Sequence, residues 1–458
     1  MVTLTELALI VGAFATIVFA FLTYLLLFER GASYSVGAAA HALDDGARAR
    51  LLTDLLATPL QRIDACDVLN EGAAMYDAYV AAIRGAMHTV HLETYIFRPG
   101  HAADAVVGAL AEAAARGVRV RVTIDAIGSL GTPQRMFAAL LAAGGAVQRY
   151  HPLRLENFRR WNNRTHRNLL VIDGAVAFIG GAGIADQWRR AEPAPWRDCV
   201  LRVRGPIVRG LQAVFAENWL ECAGELLVDT GAFPDAAAAG ADELPGPAAV
   251  EAAANDGDHA PPVAASIASA DLRSDTFGVV VGSTPTAGRS TRARTLIQLL
   301  LASAQRSIRL CTPYFVPDRG IRRELLAAHA RGVDITVITG GPYGDHAITR
   351  RAGRRRYGAL LAHGIEIYEY ARRMMHAKVL VIDERWVCLG STNIDHRSFG
   401  LNDEVNLVAC SDALAAELIA RFASDRDHSA RVDYQSWLRR PWGERILATL
   451  GRITERHQ

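Results

Sequence analysis

Lysine is almost absent from this sequence. The chain has 458 residues with 50 lysines and arginines together, and Lys378 is the only lysine among them. Arginine can replace lysine wherever positive charge alone is needed, but it fails where a compact ammonium must fit against a small group. The single lysine therefore indicates a chemical role at position 378 and excludes general solubility as its purpose.

The chain also carries little net charge, and its cysteines are not clustered. The formal net charge is +2, which excludes a strongly basic nucleic-acid binder, so an anionic partner must be met by a local patch. The six cysteines lie far apart, with no Cys-x-x-Cys pair and no Cys/His ligand spacing. They indicate buried reduced thiols and no structural metal.

The length of 458 residues predicts two domains of ordinary size, and because half of the residues are hydrophobic, the chain can bury a core in each.

The N-terminal segment lacks charge over a long run. No residue from Leu7 to Phe28 is charged, and a helix of this length spans a hydrocarbon core of about 30 Å. We therefore predict a transmembrane anchor over residues 1–30. The only charged side chain before the run is Glu6, which does not suit a cleaved signal peptide. Arginine follows the run from Arg30 and never precedes it, so the positive-inside rule predicts a cytoplasmic location for the rest of the chain.

Two parts of the chain repeat one pattern. Residues 88–125 and 307–338 each read as strand, helix and strand, which is the unit of a parallel sheet with right-handed crossovers. A strand pattern that begins with a histidine follows each copy, at residues 166–173 and 376–383. The repeat predicts an α/β fold of two similar lobes, with mixed, largely parallel sheets flanked by helices, and one shared cleft.

Composition sets the domain boundaries. Residues 233–275 are rich in Ala, Gly, Pro and Asp and lack the apolar periodicity of a core, which predicts a flexible linker. The first lobe is then residues 31–232 and the second is residues 276–458. The C-terminal stretch from Trp437 mixes aromatic side chains and arginines. It is either an amphipathic helix on a membrane surface or a segment packed on the second lobe.

The lysine belongs to a short histidine motif. His376 and Lys378 stand two residues apart at the start of an apolar run that ends in Asp383. Side chains two apart on a strand project from the same face, so the imidazole and the ammonium are expected to point into one space. The apolar run is typical of a strand that is buried on both faces.

These residues resemble the phospholipase D superfamily, whose signature His-x-Lys-x-x-x-x-Asp occurs once in each half, with Gly-Ser-x-Asn downstream. The second half matches in full, at His376, Lys378 and Asp383 and then at Ser391 and Asn393. Within the superfamily the chain looks most like bacterial cardiolipin synthases. The supporting stretches are Trp196-Arg197-Asp198, Arg204-Gly205-Pro206, Tyr314-Phe315-Val316-Pro317, and the run from Ser398 through Glu404 to Asn406.

The first half departs from the signature. His166-Arg167-Asn168 stands where His-x-Lys is expected, and Gly183 replaces the usual asparagine. The first lobe thus lacks one phosphate-binding ammonium and one amide. Asn168 can still donate a hydrogen bond, and Arg164 or Arg167 is the hypothesis for a restored charge.

The resemblance implies a double displacement at phosphorus, without metal or cofactor. One histidine attacks the phosphodiester and becomes a phosphohistidine, while the other protonates the departing alcohol and deprotonates the incoming one. The family's usual assignment makes His166 the nucleophile and His376 the general acid and base, and the reverse order stays open. The implied catalytic residues are His166, His376, Lys378, Asp383 and Asp173, and the implied phosphate-binding residues are Asn168, Ser391 and Asn393.

The resemblance also implies an activity and a place for it. The expected reaction converts two phosphatidylglycerol molecules into cardiolipin and glycerol, in a single-pass protein of the bacterial inner membrane with cytoplasmic lobes. One alternative is a phosphodiesterase that hydrolyses phospholipid or nucleic acid, although the near-neutral charge and the predicted anchor disfavour nucleic acid. Another is a catalytically silent homologue that binds anionic lipid, which the eroded first motif motivates.

Overall fold

The computed structural model describes residues 3–27, 35–189, 195–228, 231–234, 276–285 and 291–440. The predicted linker over residues 233–275 lies almost wholly outside the described residues. The C-terminal segment from residue 441, where a membrane-surface helix is one alternative, lies outside them as well.

The strands are short and mostly buried. In chain order they are β1 (Gln61–Arg62), β2 (Ala65–Asn70), β3 (Thr89–Thr94), β4 (Arg119–Asp125), β5 (Ala146–Tyr150), β6 (Arg164–Thr165), β7 (Leu169–Ile172), β8 (Val176–Gly180), β9 (Cys199–Arg204), β10 (Phe277–Ser283), β11 (Ser307–Thr312), β12 (Asp334–Gly340), β13 (Glu366–Tyr370), β14 (Val379–Ile382), β15 (Trp386–Gly390), β16 (Asn402–Cys410) and β17 (Ser429–Arg431).

The helices alternate with these strands. They are α1 (Leu4–Leu27), α2 (Asp45–Leu56), α3 (Ala73–Arg84), α4 (His101–Ala115), α5 (Ala138–Ala142), α6 (Asp186–Arg189), α7 (Ile207–Ala223), α8 (Arg292–Ser303), α9 (Arg319–Ala330), α10 (Ala347–Ala362), α11 (His396–Gly400), α12 (Asp412–Asp427) and α13 (Tyr434–Leu438), with short 3₁₀ turns at Ala38–Ala42, Gln134–Phe137 and Leu155–Arg160.

Within the described residues the strands form two mixed sheets. The first lobe has the order β2-β9-β8-β7-β3-β4-β5, and the second has the order β1-β10-β16-β15-β14-β11-β12-β13-β17, with β6 joined to β16. Parallel pairing of β3 with β4 and of β11 with β12 confirms the two strand-helix-strand units. The prediction of largely parallel sheets is wrong, because β7-β8 and β14-β15 are hairpins with short turns, and such strands must run antiparallel.

A shared hydrophobic core joins the lobes. It contains Val171 of the first sheet and Val381 of the second, together with Phe215 of α7 and Phe422 of α12. Each lobe also has an outer core on the other face of its sheet. Because burial of apolar surface is the main stabilising contribution to a packed interface, the two sheets are held together by the same force that holds each lobe.

The segment before the first lobe packs on the second lobe. Leu52 and Leu56 of α2 lie in the outer core of the second lobe, and β1 pairs with β10. Arg48 donates to Ser303 O at 2.7 Å and to Asp383 Oδ2 at 3.1 Å. The predicted boundary at residue 31 therefore needs correction, because residues 35–62 contribute to the second lobe.

The N-terminal helix α1 stands apart from both sheets. Its described side chains between residues 9 and 21 are exposed, and they include Leu9, Phe14 and Phe19. No helix in the described part of the chain has both the length and the apolar character that crossing a bilayer requires. The transmembrane anchor stays a prediction.

Candidate active site

Both predicted histidines lie in loops that precede a buried strand. His166 comes before β7, and His376 and Lys378 come before β14, which begins only at Val379. The strand expected from His376 onward thus starts later than predicted, because the His376 N–H donates to Arg197 O of the other lobe at 2.6 Å. The His166 N–H likewise donates across the lobes, to Asp403 O at 2.9 Å.

A buried carboxylate of the first lobe orients His376. Asp198 Oδ2 lies 2.8 Å from His376 Nδ1 and accepts the indole N–H of Trp188 at 2.9 Å. Asp198 is fully buried. A carboxylate on one ring nitrogen fixes the orientation of an imidazole and favours the tautomer that leaves the other nitrogen for chemistry.

A buried carboxylate of the second lobe orients His166 of the first lobe in the same way. Glu404, also fully buried, places both carboxylate oxygens 3.1 Å from His166 Nδ1. The Ser391 hydroxyl donates to Glu404 Oε2 and so supports this carboxylate. The phosphate-binding role of Ser391 stays a prediction. Asp198 and Glu404 were not predicted as site residues, although both lie in the stretches that carry the family resemblance.

Lys378 and Asn168 occupy equivalent places but differ in charge. Lys378 Nζ donates to His376 O at 2.8 Å and lies 2.9 and 3.1 Å from the two ring nitrogens of His376. The Asn168 amide donates to His166 O at 3.3 Å and accepts from Thr94 Oγ1 at 2.8 Å. Asn168 therefore reproduces the hydrogen bond of the lysine without its charge.

Burial lowers the pKa of both cationic groups in the second motif. Loss of water lowers the pKa of Lys378 to about 8, although Asp198 acts in the opposite direction. Burial, and then the neighbouring ammonium, lower the pKa of His376 below its ordinary value, against the pull of Asp198. A neutral His376 is thus favoured near pH 7, while most of Lys378 stays charged.

Two glycines leave no room for the side chains of the complete motif. A Cβ on Gly181, which corresponds to Ser391, would lie 2.6 Å from Asp198 Oδ1. A Cβ on Gly183, which corresponds to Asn393, would lie 2.6 Å from Ile96 O. Because such distances force neighbouring atoms to move, the glycines belong to the packing of the first lobe.

The two histidines line one cleft of about 950 Å³ between the lobes. It lies beyond the carboxyl ends of β3, β4, β11 and β12, where ligands bind in open α/β sheets. The buried Asn393 also lines it, with a side-chain oxygen that has no hydrogen-bond partner among the described residues. The other polar lining comes from Tyr95, Arg98, Asn168, Tyr314, Asp345, His346, Thr349, Asp395, Arg397, Ser398 and Asn402.

The arginines expected to replace the missing ammonium point elsewhere. Arg164 and Arg167 are fully buried and donate to backbone carbonyl and carboxylate groups away from the cleft. Neither lines the cleft, and the arginines that do are Arg98 and Arg397. The hypothesis of a restored charge from Arg164 or Arg167 is therefore wrong in this geometry.

Asp173 and Asp383 lie at the far ends of β7 and β14, away from the histidines. Each carboxylate accepts three backbone N–H groups at 2.7–3.2 Å, Asp173 from residues 87–89 and Asp383 from residues 305–307. Neither lines the cleft. They fix the start of β3 and β11 against the histidine strands, so we propose a structural role for them in place of a catalytic one.

Comparison with known proteins places this fold and site in a family. The family model described as "Cardiolipin synthase, PLD-like domain" matches residues 79–192 and 297–426, just over half of the chain. Those segments include both histidine loops and Glu404, while Asp198 lies just beyond the end of the first segment. The chain belongs to this family.

Relatives extend the match beyond those segments. The chain is 31% identical over 392 residues to the cardiolipin synthase of Geobacillus kaustophilus (strain HTA426), covering 84% of this chain and 71% of that protein. It is 30% identical over 389 residues to the probable cardiolipin synthase YwiE of Bacillus subtilis (strain 168), with the same coverage.

A solved structure shares the fold. The phosphatidylserine synthase of Haemophilus influenzae Rd KW20 superposes with a TM-score of 0.63 at 14% identity, covering 90% of this chain and all of that one. At this identity the likeness concerns the architecture of two lobes alone.

Proposed function

We propose that the protein is a cardiolipin synthase, a phosphatidyltransferase that converts two phosphatidylglycerol molecules into cardiolipin and glycerol. The observation that carries the proposal is the pair of imidazoles in one cleft, each held by a buried carboxylate of the opposite lobe. Such a pair supplies a nucleophile and a general acid and base for a two-step displacement. Family membership and the named relatives support the same activity.

The proposed first step forms a bond from an imidazole nitrogen to phosphorus and breaks the bond to the glycerol oxygen. The second imidazole gives its proton to that oxygen, and glycerol leaves. The same imidazole then takes the proton of a hydroxyl on a second phosphatidylglycerol, whose oxygen displaces the first imidazole from phosphorus. Atoms and charges balance, and the second imidazole returns to its starting state.

We assign the nucleophile to His376 and the general acid to His166, which is the reverse of the family's usual order. An ammonium within about 3 Å disfavours the imidazolium form of His376, and a nucleophile must be neutral. His166 has Glu404 beside it and the uncharged Asn168 where an ammonium would stand. With His376 as the nucleophile, His166 takes the other role in the proposed reaction.

Hydrogen-bond donors around the cleft stabilise the charge that develops on the phosphoryl oxygens. Asn393 gives an amide from the wall of the cleft, and Lys378, which is not part of that wall, gives an ammonium 2.9 and 3.1 Å from the ring nitrogens of His376. Preorganised donors of this kind contribute about 3 kcal/mol each to stabilisation of a transition state. With Asn168 uncharged, Lys378 is proposed to carry most of this contribution.

The proposed location is the bacterial inner membrane. The uncharged run from Leu7 to Phe28 supports a single-pass anchor, and the exposed apolar side chains of α1 need an apolar surrounding. Arg30 after the run supports cytoplasmic lobes. Phosphatidylglycerol is the proposed partner, and the net charge of +2 gives no support for nucleic acid.

The test uses membranes that contain the full-length protein and labelled phosphatidylglycerol, with cardiolipin and glycerol followed by chromatography. We expect product from the parent and none from His376→Ala or His166→Ala. His363→Ala, which changes an exposed histidine just after the end of α10, is the matched control and retains activity. Phosphatidic acid in place of cardiolipin would establish a hydrolase, and no product of either kind from the parent would overturn the proposal.

The order of the histidines has its own test. The reaction is quenched in acid-free denaturant, digested, and searched for phosphohistidine by mass spectrometry. We expect the phosphoryl group on the peptide that contains His376, and it should accumulate in His166→Ala with a substrate whose leaving group needs no proton. A phosphoryl group on His166 instead would restore the usual order.

A further inference from the structure

A turn after β5 exposes large apolar side chains. Leu153, Leu155, Phe158 and Trp161 are 52%, 84%, 52% and 37% exposed. The indole N–H of Trp161 donates to Arg154 O at 2.9 Å and closes the turn. The exposed surface therefore belongs to an ordered feature of the fold.

The loop after β4 adds to this surface. Ile127 and Leu130 are 39% and 74% exposed. Arg149 of β5 donates to Thr132 O at 2.5 Å and to Ser129 O at 3.4 Å, so it ties the loop after β4 to the strand that leads into the exposed turn. Because β4 and β5 are adjacent and parallel, both segments leave the same edge of the sheet. We call the residues 127–130 and 153–161 together the apolar rim.

The apolar rim is continuous with the mouth of the cleft. Ile127 lines the cleft. At the end of the exposed turn, Asn162 Oδ1 accepts a hydrogen bond at 3.0 Å from Arg397, which lines the cleft from the second lobe. Across the mouth, the loop after β12 exposes Tyr343 by 60%. The exposed surface thus adjoins the cleft at Ile127 and, through Asn162, at Arg397.

The mixture of side chains in the turn is that of a segment at a lipid surface. Aliphatic side chains share the turn with the indole of Trp161 and with Arg154 and Arg160. Both arginines are exposed, and Arg160 also pairs with Glu221. Indoles are enriched at the level of the lipid headgroups, while arginines bind the phosphates and keep their aliphatic stems on apolar surface. The positive charge is complementary to anionic headgroups.

We propose that the apolar rim is a membrane-contact face, which inserts into the interfacial region of a bilayer containing anionic phospholipid and presents the cleft to that surface. The proposal rests on the proposed function in one respect, that the substrate is a membrane lipid. The phosphodiester of a lipid can then react in the cleft while the acyl chains of the same lipid stay in the bilayer, because the rim lies where the cleft meets the bilayer.

Fluorescence of Trp161 tests the contact without turnover. The full-length His376→Ala protein is reconstituted into vesicles of phosphatidylglycerol and phosphatidylcholine, with and without brominated acyl chains, alongside the same protein carrying Trp161→Phe. We expect bromine to quench emission that is present with Trp161 and absent with Trp161→Phe. An equal quenched fraction in both proteins would overturn the proposal, because the indole would then not reach the acyl chains.

Kinetics of matched variants give a second test in the active protein. Leu130 and Met87 are each 74% exposed, but Met87 precedes β3 at the opposite end of the sheet. Leu130→Gln combined with Leu155→Gln is expected to raise the apparent KM for vesicle phosphatidylglycerol by about 10-fold with an unchanged kcat. Met87→Gln should leave both constants unchanged. An unchanged KM in the double variant would contradict the proposal.

The two proposals fail in different ways. Quenching through Trp161 without any cardiolipin from the parent would support the membrane-contact face and overturn the proposed synthase activity. Cardiolipin without quenching would support the synthase activity and overturn the membrane-contact face. If quenching is absent and the double variant instead halves the mass of the detergent-solubilised protein in light scattering, the apolar rim covers a second copy of the chain and the membrane proposal is wrong.

Discussion

Asp198 and His376 belong to different lobes and meet at 2.8 Å. Glu404 and His166 repeat the relationship in the opposite direction at 3.1 Å. The carboxylate beside each imidazole comes from the other lobe, so the geometry of each imidazole depends on docking of the two sheets. The two carboxylates should therefore be required for the proposed reaction, as the histidines are.

Removing the charge of either carboxylate should slow the chemical step. Asp198→Asn and Glu404→Gln keep the size of the side chain, but an amide no longer holds the imidazole in one tautomer. We expect kcat to fall by roughly 10³-fold in each, with KM nearly unchanged, as measured by initial rates of cardiolipin formation. A loss smaller than about 10-fold with an unchanged melting temperature would show that orientation by the carboxylate is unimportant.

The buried lysine should set an alkaline limit on activity. Because its pKa is lowered to about 8, the ammonium is present at lower pH and is lost as the pH rises through that value. We expect kcat/KM to fall over this range in the parent. Lys378→Arg keeps its charge and should lose the alkaline limb, while its rate falls by at least about 10-fold because a planar guanidinium replaces a compact ammonium. If kcat/KM of Lys378→Arg fell over the same pH range as that of the parent, another group would set the alkaline limit.

Asp173 and Asp383 should affect stability and leave the chemistry nearly untouched. In Asp173→Asn and Asp383→Asn the backbone N–H groups face a neutral acceptor, which should lower the free energy of unfolding by about 1–3 kcal/mol. Asp383→Asn should cost more, because Arg48 also loses its ion pair at 3.1 Å. Thermal unfolding measures both effects. A large fall in kcat without a lower melting temperature would return these residues to the active site.

A lysine in the first motif should bring little benefit. The Asn168 amide already makes the carbonyl bond that Lys378 makes in the second lobe. We expect Asn168→Lys to change kcat by less than about 10-fold, whereas Lys378→Asn should lower it by roughly 10² or more. Comparison of initial rates decides the matter. A rise of about 100-fold in Asn168→Lys would mean that the first lobe has decayed.

Gly183 should not tolerate a side chain. The Ile96 carbonyl that a Cβ would approach to 2.6 Å also accepts the Ile184 N–H at 2.8 Å. Gly183→Ala should therefore destabilise the protein by about 1–3 kcal/mol through overpacking. Gly108→Ala in α4 is the matched control, since no atom lies within 4 Å of its Cβ, and it should stabilise the helix by about 0.5–1 kcal/mol. Equal melting temperatures for the two variants would contradict this interpretation.

The sequence predicted those parts of the fold that depend on local pattern. The strand-helix-strand repeat gave the parallel pairs β3-β4 and β11-β12, and the histidine motifs led to one cleft. The position of Asp383 was open to the same reasoning. A strand rises about 3.3 Å per residue, so an aspartate that follows β14 stands at the opposite end from a histidine that precedes it.

Contacts between the lobes were beyond that reasoning. Asp198 is far from His376 in sequence, and nothing in the local pattern around Asp198 or Glu404 distinguishes an acid that binds an imidazole from one that binds an arginine. The packing of Leu52 on the second lobe depends likewise on surface that only the folded chain creates. These features are tertiary, and periodicity carries no information about them.

The crossing of residues 35–62 to the second lobe makes the first lobe an insertion between two parts of its neighbour. A chain cut once within residues 235–275 would yield two pieces, each carrying one histidine and the carboxylate that the other piece requires. The N-terminal piece would also carry Leu52 and Leu56, whose buried places are on the C-terminal piece. Turnover after such a cut is therefore expected only when the two fragments reassemble.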